Sequence, residues 1–173
     1  MRLGIRNTII AGLALASLFL VVACQPAAAP PAAHSAPDYA AQYDPAIDAI
    51  FDAWNSKQYD QLDGVLAADF TRIAPDQNAD GPEGLKAFMA QTHATYPDFA
   101  LTSNQRAYAP GVAFVEWTAT GTDSGEGGSG NPIEVSGATM LRFADGKITR
   151  EIAYFDTATL MRQVGADAMP HVE

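Results

Sequence analysis

The sequence predicts one α+β domain in which helices pack on one face of a curved antiparallel sheet. Between residues 44 and 96, apolar residues recur at the three- and four-residue spacing of amphipathic helices. From residue 99 onward the apolar period changes to two, and turns rich in glycine and proline divide the chain into segments of about ten residues. Helices followed by such strands are typical of this fold class, because a sheet buries one face against the helices.

Three helices and a brief strand are predicted before the first long strand. The first helix begins at Asp44-Pro45, where a capping residue precedes a proline at the first helical position. A second, short helix after residues 56–58 carries Leu62, Val65 and Leu66, and a brief strand covers residues 70–73. The third helix opens at Gly81-Pro82 and ends near Tyr96, because a proline disfavours helical geometry in the residue before it.

Four long strands and a last helix follow. Short turns connect most of these strands, so neighbouring strands are expected to be antiparallel. A curved sheet covered by helices encloses a cone, and such a cavity is where a ligand would bind. The predicted strands are residues 99–108, 112–122, 133–143 and 148–155, and the predicted helix is residues 157–164.

The amino terminus has the order of charge and hydrophobicity that is typical of a secretion signal. Arg2 and Arg6 precede an uncharged apolar run, residues 8–23. The run ends in Val21-Val22-Ala23-Cys24, which resembles the lipobox that lipoprotein signal peptidase cleaves. A membrane-spanning helix needs about 20 apolar residues, more than this run supplies. We therefore expect residues 1–23 to be a signal peptide.

Cys24 is the only cysteine of the chain, and disulfide bonds of a secreted domain would need cysteines in pairs. The sequence therefore predicts that Cys24 carries fatty acids such as palmitate, which tie the mature protein to a membrane of the cell envelope. Gln25, rather than Asp, follows the cysteine. In a Gram-negative cell this favours the periplasmic side of the outer membrane.

Composition divides the rest of the chain. Residues 24–41 are rich in Ala and Pro and indicate an extended tether, residues 42–165 have the length of one domain, and residues 166–173 form a tail. The net charge of −10 makes nucleic acid an unsuitable partner, because phosphate binding needs clustered basic residues. The acidic balance also disfavours anionic ligands.

Several motifs of the domain, in this order, resemble the signatures of the SnoaL-like polyketide cyclase family, which has the nuclear-transport-factor-2-like fold. The resemblance covers residues 44–165 and implies a cone-shaped domain. It also implies that the family's cofactor-independent ring closure, in which an aspartate acts as general acid and base, would fall to Asp156. The motifs are His93-Ala94-Thr95-Tyr96-Pro97-Asp98-Phe99, Val115-Glu116-Trp117-Thr118-Ala119-Thr120-Gly121-Thr122, Phe143-Ala144-Asp145-Gly146-Lys147-Ile148, Tyr154-Phe155-Asp156 and Leu160-Met161-Arg162-Gln163-Val164-Gly165.

Two environments remain open for Asp156. As the N-cap of the last helix it would accept backbone hydrogen bonds, which lower its pKa. In a pocket formed with Ile152, Tyr154 and Trp117, desolvation would raise its pKa toward the range useful for proton transfer. The two aromatic residues could equally be core residues without a ligand.

Two roles also remain open for His93. It lies beside the apolar stripe of the third helix, where a structural, hydrogen-bonded histidine is common, but an imidazole could also serve as a proton donor that works with Asp156. No zinc site can be built from one domain histidine without a free cysteine. Residues 76–81 resemble the first half of a calcium loop, but Ala87 stands where the bidentate glutamate is needed. No metal or cofactor is expected.

These observations lead to a functional expectation with alternatives. We expect a lipid-anchored domain that binds a small apolar organic molecule in its cone and forms a homodimer through the outer face of its sheet. One alternative is a cofactor-independent cyclase, isomerase or lyase that uses Asp156 and His93. Another is a dimeric interaction module without a ligand.

Overall fold

The computed structural model describes residues 37–166, in which three α-helices and a 3-10 helix accompany a six-stranded sheet. The predicted signal peptide, Cys24 and most of the predicted tether and tail lie outside the described residues. The helices are α1 (Tyr39–Ser56), the 3-10 helix (Tyr59–Gly64), α2 (Gly81–Thr95) and α3 (Thr157–Gln163). The strands are β1 (Leu66–Ile73), β2 (Ala79–Asp80), β3 (Ala100–Ala109), β4 (Val112–Thr122), β5 (Pro132–Ala144) and β6 (Lys147–Phe155).

The α+β class with a cone-shaped, nuclear-transport-factor-2-like architecture is confirmed, but the sheet is mixed rather than purely antiparallel. Its strand order is β2-β1-β6-β5-β4-β3. The four long strands pair antiparallel, as predicted; short turns join β3 to β4 and β5 to β6, and a longer loop, residues 123–131, joins β4 to β5. Strand β1 instead runs parallel to β6, because the chain between them first crosses through α2 and the three other long strands.

The first helix begins earlier than predicted. The Asp38 side chain caps α1 by accepting a hydrogen bond from the Ala41 N–H, and Pro45 lies inside the helix. Tyr43 stabilises this first part of the helix, since its ring stacks on Phe143 with ring centroids 4.2 Å apart. The proline is tolerated because this burial offsets the backbone hydrogen bond that proline cannot donate.

The second predicted helix is also corrected. The 3-10 helix ends at Gly64, and Leu66 is the first residue of β1, which is longer than the strand predicted at residues 70–73. Leu66 and Phe70 are both buried in the core. Leu66 was predicted to end the short helix with Leu62 and Val65, but it shares the inward face of β1 with Phe70, because residues at even spacing lie on one side of a strand.

The core lies between α1, α2 and the inner face of the sheet. Its fully buried side chains include Ile47 of α1, Leu85 and Met89 of α2, and Val115 of β4. At the surface, Arg106 of β3 forms ion pairs with Asp44 and Asp48 of α1 and so links this helix to the sheet. None of the helices between residues 37 and 166 is long and apolar enough to cross a membrane.

Strand β6 contains a bulge that determines which of its residues face the core. Arg142 of β5 pairs with Arg150, but Phe143 pairs with Ile148, so Thr149 has no partner on β5. The Thr149 hydroxyl instead donates to the Arg142 carbonyl oxygen over 3.3 Å. Because one extra residue reverses the alternation of a strand, odd-numbered residues after the bulge face inward, although the even-numbered Ile148 does so before it.

Candidate functional site

A cavity of about 330 Å³ lies between the inner face of the sheet and the helices. Alternate residues of β4, β5 and β6 form its floor, and residues of α1, α2 and α3 form its walls. Lining side chains at the end of β1 and along α2, such as Gln77, Gln91 and Thr95, are also exposed and mark its opening. Seven of the lining residues are aromatic: Phe51, Trp54, Phe88, Tyr96, Phe99, Trp117 and Phe155.

Arg72 of β1 is held firmly at one side of this cavity. Its side chain is only 6% exposed, and its two terminal nitrogens contact the two carboxylate oxygens of Asp76 over 3.0 and 3.2 Å. One terminal nitrogen also donates to the Gln77 carbonyl oxygen. The guanidinium lies over the Phe88 ring, 4.2 Å from its centroid. Arg72 is therefore committed to Asp76 by a two-pronged, charge-assisted contact.

Glu151 of β6 lies beside Arg72, because the two residues are register partners in the parallel pair. One carboxylate oxygen is 3.7 Å from the Arg72 Nε atom, and the side chain is 13% exposed. Among residues 37–166, no group donates a hydrogen bond to this carboxylate within normal hydrogen-bond geometry. Burial raises the pKa of Glu151, and Arg72 opposes this shift while Asp76 adds to it. The cavity thus contains a carboxyl group with unused hydrogen-bonding capacity.

Trp117 and Thr139 form a second polar contact on the cavity floor. The indole N–H of Trp117 donates to the Thr139 hydroxyl oxygen over 2.9 Å, and both side chains are buried. The Trp117 ring covers Gly137 on the neighbouring strand, where any Cβ atom would clash with it. Within the described residues the Thr139 hydroxyl donates its own proton to no protein group, so a bound molecule could accept it.

Asp156 lies away from this cavity and caps α3. Its carboxylate accepts hydrogen bonds from the Thr159 N–H over 3.1 Å and the Thr159 hydroxyl over 2.6 Å, and its side chain is 61% exposed. The Thr159 hydroxyl and backbone N–H lower the pKa of Asp156. The capping environment is therefore the one observed, and an exposed carboxylate of lowered pKa is a poor base near neutrality.

Ile152 and Tyr154 do not line the cavity either. The bulge at Thr149 turns Glu151, Ala153 and Phe155 inward and leaves the residues between them on the outer face. The Tyr154 side chain is accordingly 62% exposed. The prediction that these two residues join Trp117 in the pocket is corrected for this reason, whereas Trp117 does lie on the cavity floor.

His93 is buried behind the cavity wall rather than in it. Its Nδ1 atom is 2.8 Å from the Tyr59 hydroxyl and 2.9 Å from the Met89 carbonyl oxygen, and its ring packs beside Trp54 with centroids 5.7 Å apart. The Nε2 atom has no hydrogen-bond partner among the described residues. These contacts are those of a buried, hydrogen-bonded structural histidine, and they do not bring His93 together with Asp156.

Sequence reasoning missed Arg72, Asp76 and Glu151. The available signal was weak: Arg72 and Glu151 are charged residues within strands that are otherwise apolar or of mixed character. Between residues 37 and 166, no group of three or more His, Cys, Asp or Glu side chains is placed to hold a metal ion.

Comparison with known proteins agrees with the fold. No curated protein matches the chain. A candidate SnoaL-like polyketide cyclase from Jannaschia sp. CCS1 is 20% identical, with a TM-score of 0.65 over 74% of this chain and 94% of that chain. A protein of ketosteroid isomerase-like fold from Catenulispora acidiphila, solved in complex with trimethylamine, is 25% identical, with a TM-score of 0.64 over 72% of this chain and 97% of that chain.

A third structure, the candidate polyketide cyclase IdmH from Streptomyces antibioticus, is 25% identical, with a TM-score of 0.63 over 72% of this chain and 99% of that chain. The family model that describes SnoaL-like polyketide cyclases matches residues 45–164. This match spans most of the chain and nearly all of the described residues. The chain therefore belongs to the SnoaL-like polyketide cyclase family.

Proposed function

We propose that this protein is a lipid-anchored member of its family that binds a small, largely apolar organic molecule in its cone. The observation that carries the proposal is the cavity of about 330 Å³ with its aromatic walls. Small-molecule sites have volumes of about 300 to 1,000 Å³ and combine apolar walls with a few polar groups. Glu151 and Thr139 supply such groups, because both face the cavity with hydrogen-bonding capacity that the protein leaves unused.

Filling the cavity should abolish binding. Ala153 is 3% exposed and lines the cavity floor, so Ala153→Leu places a larger side chain in the ligand's space. We expect the neutral fluorescent probe N-phenyl-1-naphthylamine to bind the wild type and to bind Ala153→Leu at least several-fold more weakly in a fluorescence titration. Ala144→Leu, at an exposed position of β5, is the matched control and should bind like the wild type. Equal binding by Ala153→Leu would place the probe elsewhere.

A second candidate function is cofactor-independent acid and base catalysis, with Glu151 in the role that the family resemblance implied for Asp156. Thr139 pairs with Ala153, so it is a diagonal neighbour of Glu151 on the same face of the sheet. In this function the Glu151 carboxylate would take a proton from the carbon next to a carbonyl group. The Thr139 hydroxyl would donate a hydrogen bond to the carbonyl oxygen, where negative charge develops.

Substitution of the two carboxylates distinguishes their roles. We expect Glu151→Gln to abolish proton exchange at the carbon next to the carbonyl of a bound ketone, measured by NMR in D2O, since an amide accepts no proton. Asp156→Asn should retain the exchange, because asparagine caps a helix about as well as aspartate. The wild-type rate should rise with pH through the raised pKa of Glu151, as only the ionised carboxyl is a base. Exchange that depends on Asp156 alone would contradict this assignment.

The membrane anchor is part of the proposal and rests on the amino-terminal sequence, since Cys24 lies outside the described residues. In a bacterial host, metabolic labelling with radioactive palmitate should label the wild-type protein. Cys24→Ser should remain unlabelled and keep its full length, because it has no thiol to acylate. His34→Ser, a change in the predicted tether, is the control and should be labelled normally. Undiminished labelling of Cys24→Ser would refute the anchor at this residue.

We also propose that the protein forms a homodimer through the outer face of its sheet. Register pairing aligns four apolar residues across four strands of this face: Ile73, Ile152, Met140 and Phe114. Ile73 and Phe114 are 41% and 49% exposed. An apolar row of this kind is typical of a surface that a partner covers.

A charged residue in this row should separate the dimer. Phe114→Lys is expected to sediment as a monomer at concentrations where the wild type sediments as a dimer, because the interface would bury an unpaired charge. Met161→Lys, on α3, introduces the same charge at a side chain that is 46% exposed and outside the row. It should remain dimeric. Identical sedimentation of the wild type and Phe114→Lys would rule out this interface.

A further inference from the structure

The charged groups that line the cavity include one more acid than base. Arg72 is the one basic residue among the described lining residues, whereas Asp76 and Glu151 are both acidic. Arg72 is already engaged, because both of its terminal nitrogens contact Asp76 at 3.0 to 3.2 Å. Its Nε atom is 3.7 Å from Glu151, which is too long for a hydrogen bond. When Glu151 is ionised, its charge is therefore incompletely compensated.

The uncompensated negative charge of a buried carboxylate in this position can be neutralised in two ways. It can take up a proton, which is the direction in which burial shifts its pKa, or it can pair with a positive charge that enters the cavity. Only pairing with a positive charge involves a ligand. This pairing brings the net charge of the Arg72, Asp76 and Glu151 cluster from −1 to zero. An anionic ligand would instead add to the negative charge of this cluster.

The walls of the cavity also suit a cation. Trp54, Phe99 and Trp117 are among its lining residues, and the faces of aromatic rings attract ammonium groups, tryptophan most strongly. The protein already uses this interaction nearby, where the Arg72 guanidinium lies over Phe88. The net charge of −10 further raises the local concentration of cations around the molecule.

From these observations we infer that the cavity selects a small organic cation, a molecule with an apolar or aromatic body and one positively charged nitrogen that pairs with Glu151. The apolar body would occupy the floor around Ala153 and Trp117, and the charged nitrogen would lie at the Arg72 side of the cavity. This inference rests on the proposed binding function and specifies the class of ligand.

Two probes of equal shape test the inference. Phenyltrimethylammonium and tert-butylbenzene have the same number of heavy atoms, but only the former carries a charge, which does not change with pH. The two tryptophans of the chain, Trp54 and Trp117, both line the cavity, so their fluorescence reports its occupancy. Titrations with purified protein compare the wild type, Glu151→Gln and Glu116→Gln. The last is the control, because Glu116 is an exposed carboxylate that does not line the cavity.

We expect the wild type and Glu116→Gln to bind the cation at least about tenfold more tightly than the neutral probe, because its charge is attracted to the Glu151 carboxylate and to the aromatic rings. In Glu151→Gln this preference should fall at least several-fold while the neutral probe still binds, which also shows that the variant is folded. If the wild type binds both probes equally, or the neutral probe alone, the inference is wrong and the binding function stands. A preference for the cation that is undiminished in Glu151→Gln would overturn the role of Glu151. If neither probe binds, both the inference and the proposed function fail.

Discussion

The unpaired Thr149 in β6 is the constraint on which the cavity depends. Side chains alternate along a strand, so one inserted residue exchanges the inner and outer faces for everything that follows. Without the bulge, Ile152 and Tyr154 would continue the inward series begun by Ile148, and Glu151 would face outward. With the bulge, the Glu151 carboxyl group lies in the cavity beside Arg72, and Ile152 and Tyr154 lie on the outer face. The same bulge therefore brings Glu151 into the cavity and adds Ile152 to the exposed apolar row.

The fold could be predicted largely from the sequence because its signals are local. Period-two patterns and glycine turns placed β4 at its observed residues, Val112–Thr122, and the other long strands within one residue at each end. The parallel pairing of β1 with β6 could not be predicted in this way, because it joins segments separated by α2 and four strands. The early start of α1 was missed since Pro45 is a stronger sequence signal than the Asp38 cap.

The site was harder to predict, for a physical reason. Whether a strand residue faces inward depends on counting from a known inward residue, and the bulge at Thr149 interrupts that count without leaving any mark in the sequence. Trp117 lies on the cavity floor, as the alternation of β4 indicates, because β4 pairs without interruption with β5 over its whole length. Arg72 and Asp76 were missed because their contact is formed across a turn whose polar residues indicated only a loop.

Asp156, which lies away from the cavity, and Glu151, which lines it, contribute differently to the fold. An aspartate at the start of α3 satisfies backbone N–H groups that would otherwise lack partners, so it is useful to the fold whatever the cavity binds. Glu151 has no comparable structural use: it is desolvated, it forms no short contact with Arg72, and burial raises its pKa. Replacing such a carboxyl with an uncharged residue should cost the fold little. A group that is costly to bury and contributes little to stability is best explained by what it binds. For this reason our proposals for the cavity centre on Glu151 rather than on Asp156.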